Sequence, residues 1–214
     1  TGKHALLSCD LASTLRTGNN IYLAHRLPAC HAFKQPGGMP DGLAFLSDEF
    51  ADFYGGPEWK KHRRFRIPRN LDRKWDASAQ MKDVNNDGYP DLLITQTRGT
   101  VRLEARTDFY LASGVCAYPG KPNASFTGNG AFVMPEIADT DGDGPLDIVL
   151  ISVPIGMGNI IRYFLRGKVS IEAQVYHFNN GAFSDEPIWR DHLTMDTPEG
   201  REQISWTLGD FNGD

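Results

Sequence analysis

The sequence predicts an all-β protein made of repeated four-stranded antiparallel units. A segment rich in aspartate and asparagine occurs at 83–91 and again at 139–147, with a shorter copy at 210–214. Each of the two longer copies leads directly into an apolar run, LLIT or IVLIS, which is typical of a buried strand. Successive copies begin 56 positions apart (139 − 83) and 71 positions apart (210 − 139), about the length of a four-stranded unit with its loops.

The composition is that of a soluble globular protein. The chain has 214 residues, of which 40% are hydrophobic and 23% charged, and its formal net charge is −5. This apolar content is enough for one sizeable core or two small ones, and the mild acidity argues against nucleic acid as a main partner. The apolar stretch 148–161 is too short to span a bilayer and is interrupted by Pro154 and two glycines.

The acidic segments have the spacing of a loop that wraps a hard cation. Oxygen-bearing side chains occupy positions 1, 3, 5 and 9, and a glycine at position 6 allows a sharp turn. Calcium takes six to eight oxygen ligands, and a backbone carbonyl at position 7 can supply one of them. The candidate ligands are Asp83, Asn85, Asp87, Tyr89 and Asp91 in the first copy, Asp139, Asp141, Asp143, Pro145 and Asp147 in the second, and Asp210, Asn212 and Asp214 in the third.

The pattern disfavours both an EF-hand and a set of ordinary turns. An EF-hand needs a glutamate at position 12 followed by a helix, but position 12 is Ile94 or Leu150, inside an apolar run. Ordinary Asp/Asn/Gly turns would not be expected to repeat in the same register in two full copies and a partial third. The sequence therefore predicts calcium loops that lead into buried inner strands, each followed by two or three outer strands.

The rest of the chain contains further strand and turn signals. NNIYLAHRL and GLAFLSD in the first 75 residues read as strands, and VSIEAQVYHF ends at Asn180-Gly181, a strong hairpin turn. The basic segment 59–69 is interpreted as a solvated outer strand or a connecting loop, with an anionic-partner patch as the alternative. Residues 158–167 suggest a short helix or a long hairpin whose apolar residues pack in the core, with contact to a partner as the alternative. When the segments that follow the first and second acidic copies are aligned, Tyr110–Gly114 matches His177–Gly181.

The motifs DVNNDGYPDLLI and DTDGDGPLDIVL resemble the FG-GAP/VCBS repeat family, whose calcium-loop blades also occur in integrin α-subunit propellers. The resemblance implies a β-propeller of four-stranded blades with calcium in the loops. It covers residues 76–214, and residues 1–75 are expected to form a degenerate blade or an N-terminal segment of the propeller. Closed propellers have four to eight blades, whereas 214 residues at about 60 per blade give three to four, so we expect the chain to be part of a longer polypeptide.

The function class that this sequence favours is a non-enzymatic binding, adhesion or scaffold module for a protein or a glycan, secreted, periplasmic or on the cell surface. One alternative is a carbohydrate-active protein, either a lectin or a propeller domain of a polysaccharide lyase or hydrolase. Another is a structural subunit of a larger surface assembly. No catalytic constellation is recognisable, because the clustered acids are assigned to calcium and the six histidines show no partner spacing. Cys9 and Cys30 could form a disulfide, with Cys116 left single.

Overall fold

The structure is a computed structural model of the chain, and it describes residues 4–9, 15–23, 29–33, 42–47, 49–55, 61–68, 76–99, 104–132, 135–154, 158 and 165–196. The strands in the described part are β1 (His4–Cys9), β2 (Leu15–Leu23), β3 (Ala29–Phe33), β4 (Gly42–Leu46), β5 (Phe50–Gly55), β6 (Lys61–Arg66), β7 (Asp76–Lys82), β8 (Asp91–Arg98), β9 (Glu104–Tyr110), β10 (Ala124–Asn129), β11 (Ala131–Phe132), β12 (Glu136–Ala138), β13 (Asp147–Val153), β14 (Lys168–Tyr176), β15 (Phe178–Asn179), β16 (Ala182–Phe183) and β17 (Trp189–Asp196).

These strands form three main antiparallel sheets. Sheet I has the order β3-β4-β5-β6, and sheet II has the order β10-β9-β8-β7. In sheet III, β13 pairs with both β11 and β12 on one side and with β14 on the other, and β14 pairs in turn with β17. The strands β1 and β2 form a separate pair, as do β15 and β16. The predicted all-β architecture of four-stranded antiparallel, blade-like units is confirmed.

The sequence predicted that each acidic loop leads into the first, innermost strand of its unit. In the structure the strand that follows each loop is instead the second strand of its sheet, and another strand precedes the loop. The loop at 83–90 connects β7 to β8, and the loop at 139–146 connects β12 to β13. Both preceding strands gave a weak signal in the sequence. The strand β7, DASAQMK, has one buried hydrophobic residue, Met81, among those described, and β12 is only three residues long. Each loop is therefore a connection between two paired strands.

Sheet II is buried on both of its faces. On one face Leu92, Ile94 and Tyr110 pack into a core shared with sheet I. On the other face Leu93 and Phe109 pack into a second core shared with sheet III. Because adjacent residues of a strand point to opposite faces, a strand buried on both sides has a continuous apolar sequence, which explains the run LLIT.

Sheet III presents its other face away from sheet II. Val149, Ile151 and Ile171 form a third, smaller core on this face. Trp189 and Leu193 of β17 lie beside it, because Trp189 pairs with Val175 and Leu193 pairs with Ile171. Their side chains are 47% and 44% exposed, so part of this apolar face is accessible.

The basic segment contributes the outer strand of sheet I, in agreement with its interpretation as an outer strand. Arg64 donates two hydrogen bonds to the Asp52 carboxylate, and His62 lies 2.8 Å from the same group. Arg63 donates to the backbone carbonyl of Val115 at 3.1 Å. Burial alone would raise the pKa of Asp52, but the hydrogen bonds from Arg64 and His62 hold it below its usual value. Arg64 and His62 therefore hold β6 to β5 within sheet I, and Arg63 connects β6 to the segment that follows β9. The proposed boundary at residue 75 stays a prediction.

Several smaller predictions can be compared with the described residues. The Asn180-Gly181 hairpin is confirmed, because both residues have positive φ and connect β15 to β16. Cys30 and Cys116 are free thiols, so the Cys9–Cys30 disulfide is not formed. Gly158 and residues 165–166 are helical, but Leu165 is 78% exposed, so a core role for that residue is wrong; the remainder of the segment up to residue 164 lies outside the described residues. In the described part of the chain, no helix has the length and apolarity needed to cross a membrane.

Candidate metal centre

Loop 1 (residues 83–90) and loop 2 (residues 139–146) have left-handed residues at the same two positions. Position 4 has a positive φ in both, 58° at Asn86 and 80° at Gly142. Position 6 does so as well, with 90° at Gly88 and 103° at Gly144. Glycine and asparagine are the residues that adopt this conformation most readily. The residue types at positions 4 and 6 therefore account for the shared turn.

The aspartate at position 1 closes each loop by accepting backbone hydrogen bonds. In loop 1, Asp83 accepts from the N–H groups of Gly88 at 2.8 Å and Asp87 at 3.1 Å. In loop 2, Asp139 accepts from those of Gly144 at 3.0 Å and Gly142 at 2.7 Å. Each carboxylate thus holds its loop in a tight curve, with the side chains at positions 3 and 5 directed to the same region.

The acids of loop 2 lie close enough to share one cation. Asp139, Asp141 and Asp143 each offer a carboxylate oxygen, and these oxygens lie within 4.8 Å of one another. Two ligands on opposite sides of a calcium ion, at about 2.4 Å each, are separated by about the same distance. The donor set is made of oxygen and carries three negative charges, so it fits calcium.

The corresponding side chains of loop 1 also converge. The Asn85 side-chain oxygen accepts from the Asp87 N–H at 3.2 Å, and the Asn85 amide donates to the Asp87 carboxylate at 3.0 Å. The other Asp87 oxygen accepts from the N–H of Tyr89 at 2.8 Å. Loop 1 therefore carries two carboxylates and one amide where loop 2 carries three carboxylates, and it has the smaller negative charge.

Charge repulsion is evident in loop 2. The pKa of Asp143 is raised by desolvation and by the negative charges of Asp141, Asp139 and Asp147. A bound cation would favour the ionised carboxylate and remove this repulsion. The calcium site in loop 2 stays a prediction.

The aspartates at position 9 are buried, and each one anchors its loop to another part of its sheet. Asp91 accepts from the N–H of Val84 at 2.9 Å and from that of Ala112 at 2.7 Å. Asp147 accepts from the N–H of Thr140 at 3.1 Å and from that of Phe178 at 2.9 Å. The Thr140 hydroxyl also donates to Asp147. Each acid therefore joins position 2 of its loop to the end of the strand that follows in the sheet, a structural role that the sequence did not indicate.

Burial changes the protonation of Asp91. Desolvation raises its pKa to about 7, despite the N–H groups of Ala112 and Val84, which favour the ionised form; the charges of Asp87 and Asp83 contribute to the increase. The usual pKa of an aspartate is about 3.9. Without a cation, folded Asp91 therefore holds a proton over a pH range in which the unfolded chain has lost it.

This difference predicts a pH dependence for the calcium-free protein. Between about pH 4 and pH 7 the folded state binds more protons at Asp91 than the unfolded state, so the contribution of this group to stability falls as the pH rises. We expect the Asp91→Asn variant to lose this component. The measurement is urea unfolding in chelator at several pH values, compared between wild type and Asp91→Asn. Parallel stability curves for the two proteins across this range would contradict the prediction.

His177 belongs to the surroundings of loop 2, although the sequence analysis found no partner for it. Its Nδ1 lies 3.4 Å from Asp141 and its Nε2 lies 3.7 Å from Asp147. The N–H of Ala112 donates to Asp91 just as the N–H of Phe178 donates to Asp147, so Ala112 and Phe178 occupy equivalent positions. The residue of sheet II that is equivalent to His177 is therefore Leu111. The predicted overlay, which matched His177 with Tyr110, is therefore displaced by one residue. Pairing also equates Tyr110 with Tyr176.

The two loops contact each other directly. The Asn86 side-chain amide donates to the backbone carbonyl of Gly144 at 2.7 Å. The N–H of Leu146 donates to the carbonyl of Val84, also at 2.7 Å. Val84 is fully buried in the core between sheets II and III, and Leu146 packs against the same core. The candidate metal centre is thus a pair of joined loops.

A cavity lies beside loop 1, between sheets I and II. It has a volume of about 340 Å³, and its lining includes His31, Lys82, Asp83 and Gly88. The His31 Nε2 atom is buried and has no hydrogen-bond partner among the residues that the structure describes. Burial and the nearby Lys82 charge lower the pKa of His31, which favours the neutral imidazole.

The structure describes ten of the predicted ligand positions, and the other three, Asp210, Asn212 and Asp214, lie outside the described residues. The carbonyl ligands assigned to Tyr89 and Pro145 stay predictions. Comparison of the chain with curated proteins found no match. Residues 83–150, which contain both complete loops, match the family model described as FG-GAP-like repeat. The predicted resemblance is confirmed over this stretch: residues 83–150 are similar to an FG-GAP-like repeat, which suggests a β-propeller-type module.

Proposed function

We propose that this chain is a calcium-stabilised β-propeller module that works outside the cytosol and binds a protein or a glycan. The observation that carries the proposal is the matching construction of loops 1 and 2. Both close around a position-1 aspartate, and both place oxygen donors at positions 3, 5 and 9. Two loops with left-handed residues at the same two positions and the same class of oxygen donors are best explained by the same kind of ligand.

Calcium would be held by side-chain oxygens together with one backbone carbonyl per loop. The ligands in loop 1 would be Asp83, Asn85, Asp87, the Tyr89 carbonyl and Asp91, and those in loop 2 Asp139, Asp141, Asp143, the Pro145 carbonyl and Asp147. The ion supplies charge compensation and a cross-link within the loop. Exposed loops of this kind suit the weaker class of calcium sites, which are loaded at the millimolar calcium concentrations found outside cells. This supports a secreted, periplasmic or cell-surface location.

A binding role is preferred to catalysis because of how the acids are used. Glycoside hydrolysis needs two carboxyl groups placed across a substrate, whereas the clustered carboxylates in the described residues belong to the loops. The cavity beside loop 1 has a volume within the range of ligand pockets, about 300–1,000 Å³, and supports contact with a polar ligand. Binding on a glycan array would favour a lectin, polysaccharide turnover would favour an enzyme, and a co-purifying protein without either would favour an adhesion or assembly role.

The first test of this proposal is the calcium content of the protein. We expect about two calcium ions per chain after dialysis against calcium buffer, one for each complete loop. The double variant Asp141→Asn/Asp143→Asn should retain about one, because it removes two carboxylates from loop 2 alone. Elemental analysis of both proteins provides the measurement. Calcium-free wild type would refute the assignment, and a transition metal at equal occupancy would contradict the oxygen donor set.

A further inference from the structure

We propose that loops 1 and 2 bind calcium cooperatively through the two hydrogen bonds that join them. This inference rests on the proposed calcium function and adds a coupling between the two sites. Its basis is the place of the joining bonds relative to the ligands. In loop 1 the bonds involve Val84 and Asn86, and in loop 2 they involve Gly144 and Leu146.

In each loop, the two residues that make the joining bonds lie on either side of a candidate ligand in the sequence. Val84 and Asn86 are the neighbours of Asn85, the position-3 ligand of loop 1, and Gly144 and Leu146 are the neighbours of Pro145, whose carbonyl is the position-7 ligand of loop 2. The two bonds thus connect the backbone around a ligand of one ion to the backbone around a ligand of the other. Neither segment can change its conformation while the bonds persist unless the other segment adjusts.

The physical cause of the coupling is shared ordering. Before an ion binds, repulsion among the acids favours open arrangements of each loop, and binding restricts that loop to one arrangement. If the first ion orders loop 1, the bonds from Val84 and Asn86 also order the segment around Pro145, so the second ion meets a loop that has already lost part of its freedom. The same reasoning applies in the reverse order, because coupling between sites is reciprocal.

The conformation of Asn86 makes a specific variant available. Its φ of 58° is in the left-handed region, where glycine is at ease, so Asn86→Gly keeps the backbone and removes only the side-chain donor. Asn86 occupies position 4 and is not a candidate ligand. A matched control exists in Asn180→Gly, because Asn180 has a φ of 51° in the β15–β16 turn and makes no bond to either loop in the described structure.

The experiment is a calorimetric calcium titration of the full chain. In wild type we expect the second stepwise association constant, corrected for statistics, to exceed the first. Asn86→Gly should reduce this ratio by about two- to twelvefold, the range expected for one hydrogen bond, and Asn180→Gly should leave it unchanged.

The possible outcomes distinguish coupling between the two loops from calcium binding itself. Two ions that bind independently, with the same ratio in wild type and in Asn86→Gly, would overturn the coupling and leave the calcium function intact. A ratio that falls equally in Asn86→Gly and Asn180→Gly would also overturn it, because the effect would be a general one of glycine. The absence of bound calcium in the titrated wild type, measured by elemental analysis, would overturn both.

Discussion

Removal of calcium is expected to lower the melting temperature of this chain by about 5 to 10 °C for each loaded loop. An ion that binds only the folded state at a hundredfold excess over its Kd stabilises that state by about 2.7 kcal/mol. For a chain of 150–250 residues, each kcal/mol changes the melting temperature by about 2 to 4 °C. Loop 2 should contribute strongly, because three carboxylates repel one another there when no cation is present. The measurement is a thermal melt in calcium and in chelator, with recovery when calcium is returned.

A loop variant and a control make this prediction specific. Asp143→Ala removes a central ligand of loop 2 and should reproduce much of the chelator effect while it reduces the response to added calcium. Asp185→Ala removes an equally exposed acid from outside the loops and should do neither. If wild type melts at the same temperature in both buffers, the loops are ordinary turns and the proposed function is wrong.

The second large effect is expected for Asp91→Ala measured without calcium. The substitution leaves two buried N–H groups, those of Val84 and Ala112, without their acceptor. Each such loss costs about 1 to 3 kcal/mol, although removal of a desolvated acid offsets part of the total. We therefore expect a melting temperature lower by about 5 to 15 °C in chelator. Asp87→Ala is the control, because Asp87 is exposed and should have a small effect in the same buffer.

Chelator separates the two roles of Asp91. A metal ligand that does nothing else would matter only when calcium is present, whereas an anchor matters in its absence. A normal melting temperature for Asp91→Ala in chelator, together with weaker calcium binding, would show that Asp91 acts only as a ligand. That result would contradict the role of Asp91 as an anchor between loop 1 and the end of β9.

The loops were predictable from sequence because their chemistry is local. Every candidate ligand of one loop lies within nine residues, and the left-handed positions carry glycine or asparagine, so spacing and residue type indicate both the turn and the donors. The strands β8 and β13 were predictable for a related reason. Burial on both faces gives them continuous apolar sequences that stand out from their surroundings.

The features that sequence did not reveal depend on pairing between distant segments. His177 reaches loop 2 because β14 pairs with β13, and Asn86 reaches Gly144 because two sheets stack. The strand β7 was missed because its polar sequence carries little of the periodicity that identifies a strand. The predicted overlay of Tyr110–Gly114 on His177–Gly181 was displaced by one residue because it aligned the two glycines. The equivalent residues are instead those whose N–H groups donate to the buried aspartates Asp91 and Asp147.

The order of the sheets has a consequence for how disturbances spread. Sheet II shares one core with sheet I and another with sheet III, and in the described residues no core cluster joins sheets I and III directly. Such a stack behaves as a chain of nearest neighbours, in which each unit depends on the interfaces beside it. Within the described residues, a defect in sheet I reaches sheet III only through sheet II. The joined loops lie at one of these two junctions, so loading them with calcium would strengthen a link of the array as well as the sheets it connects.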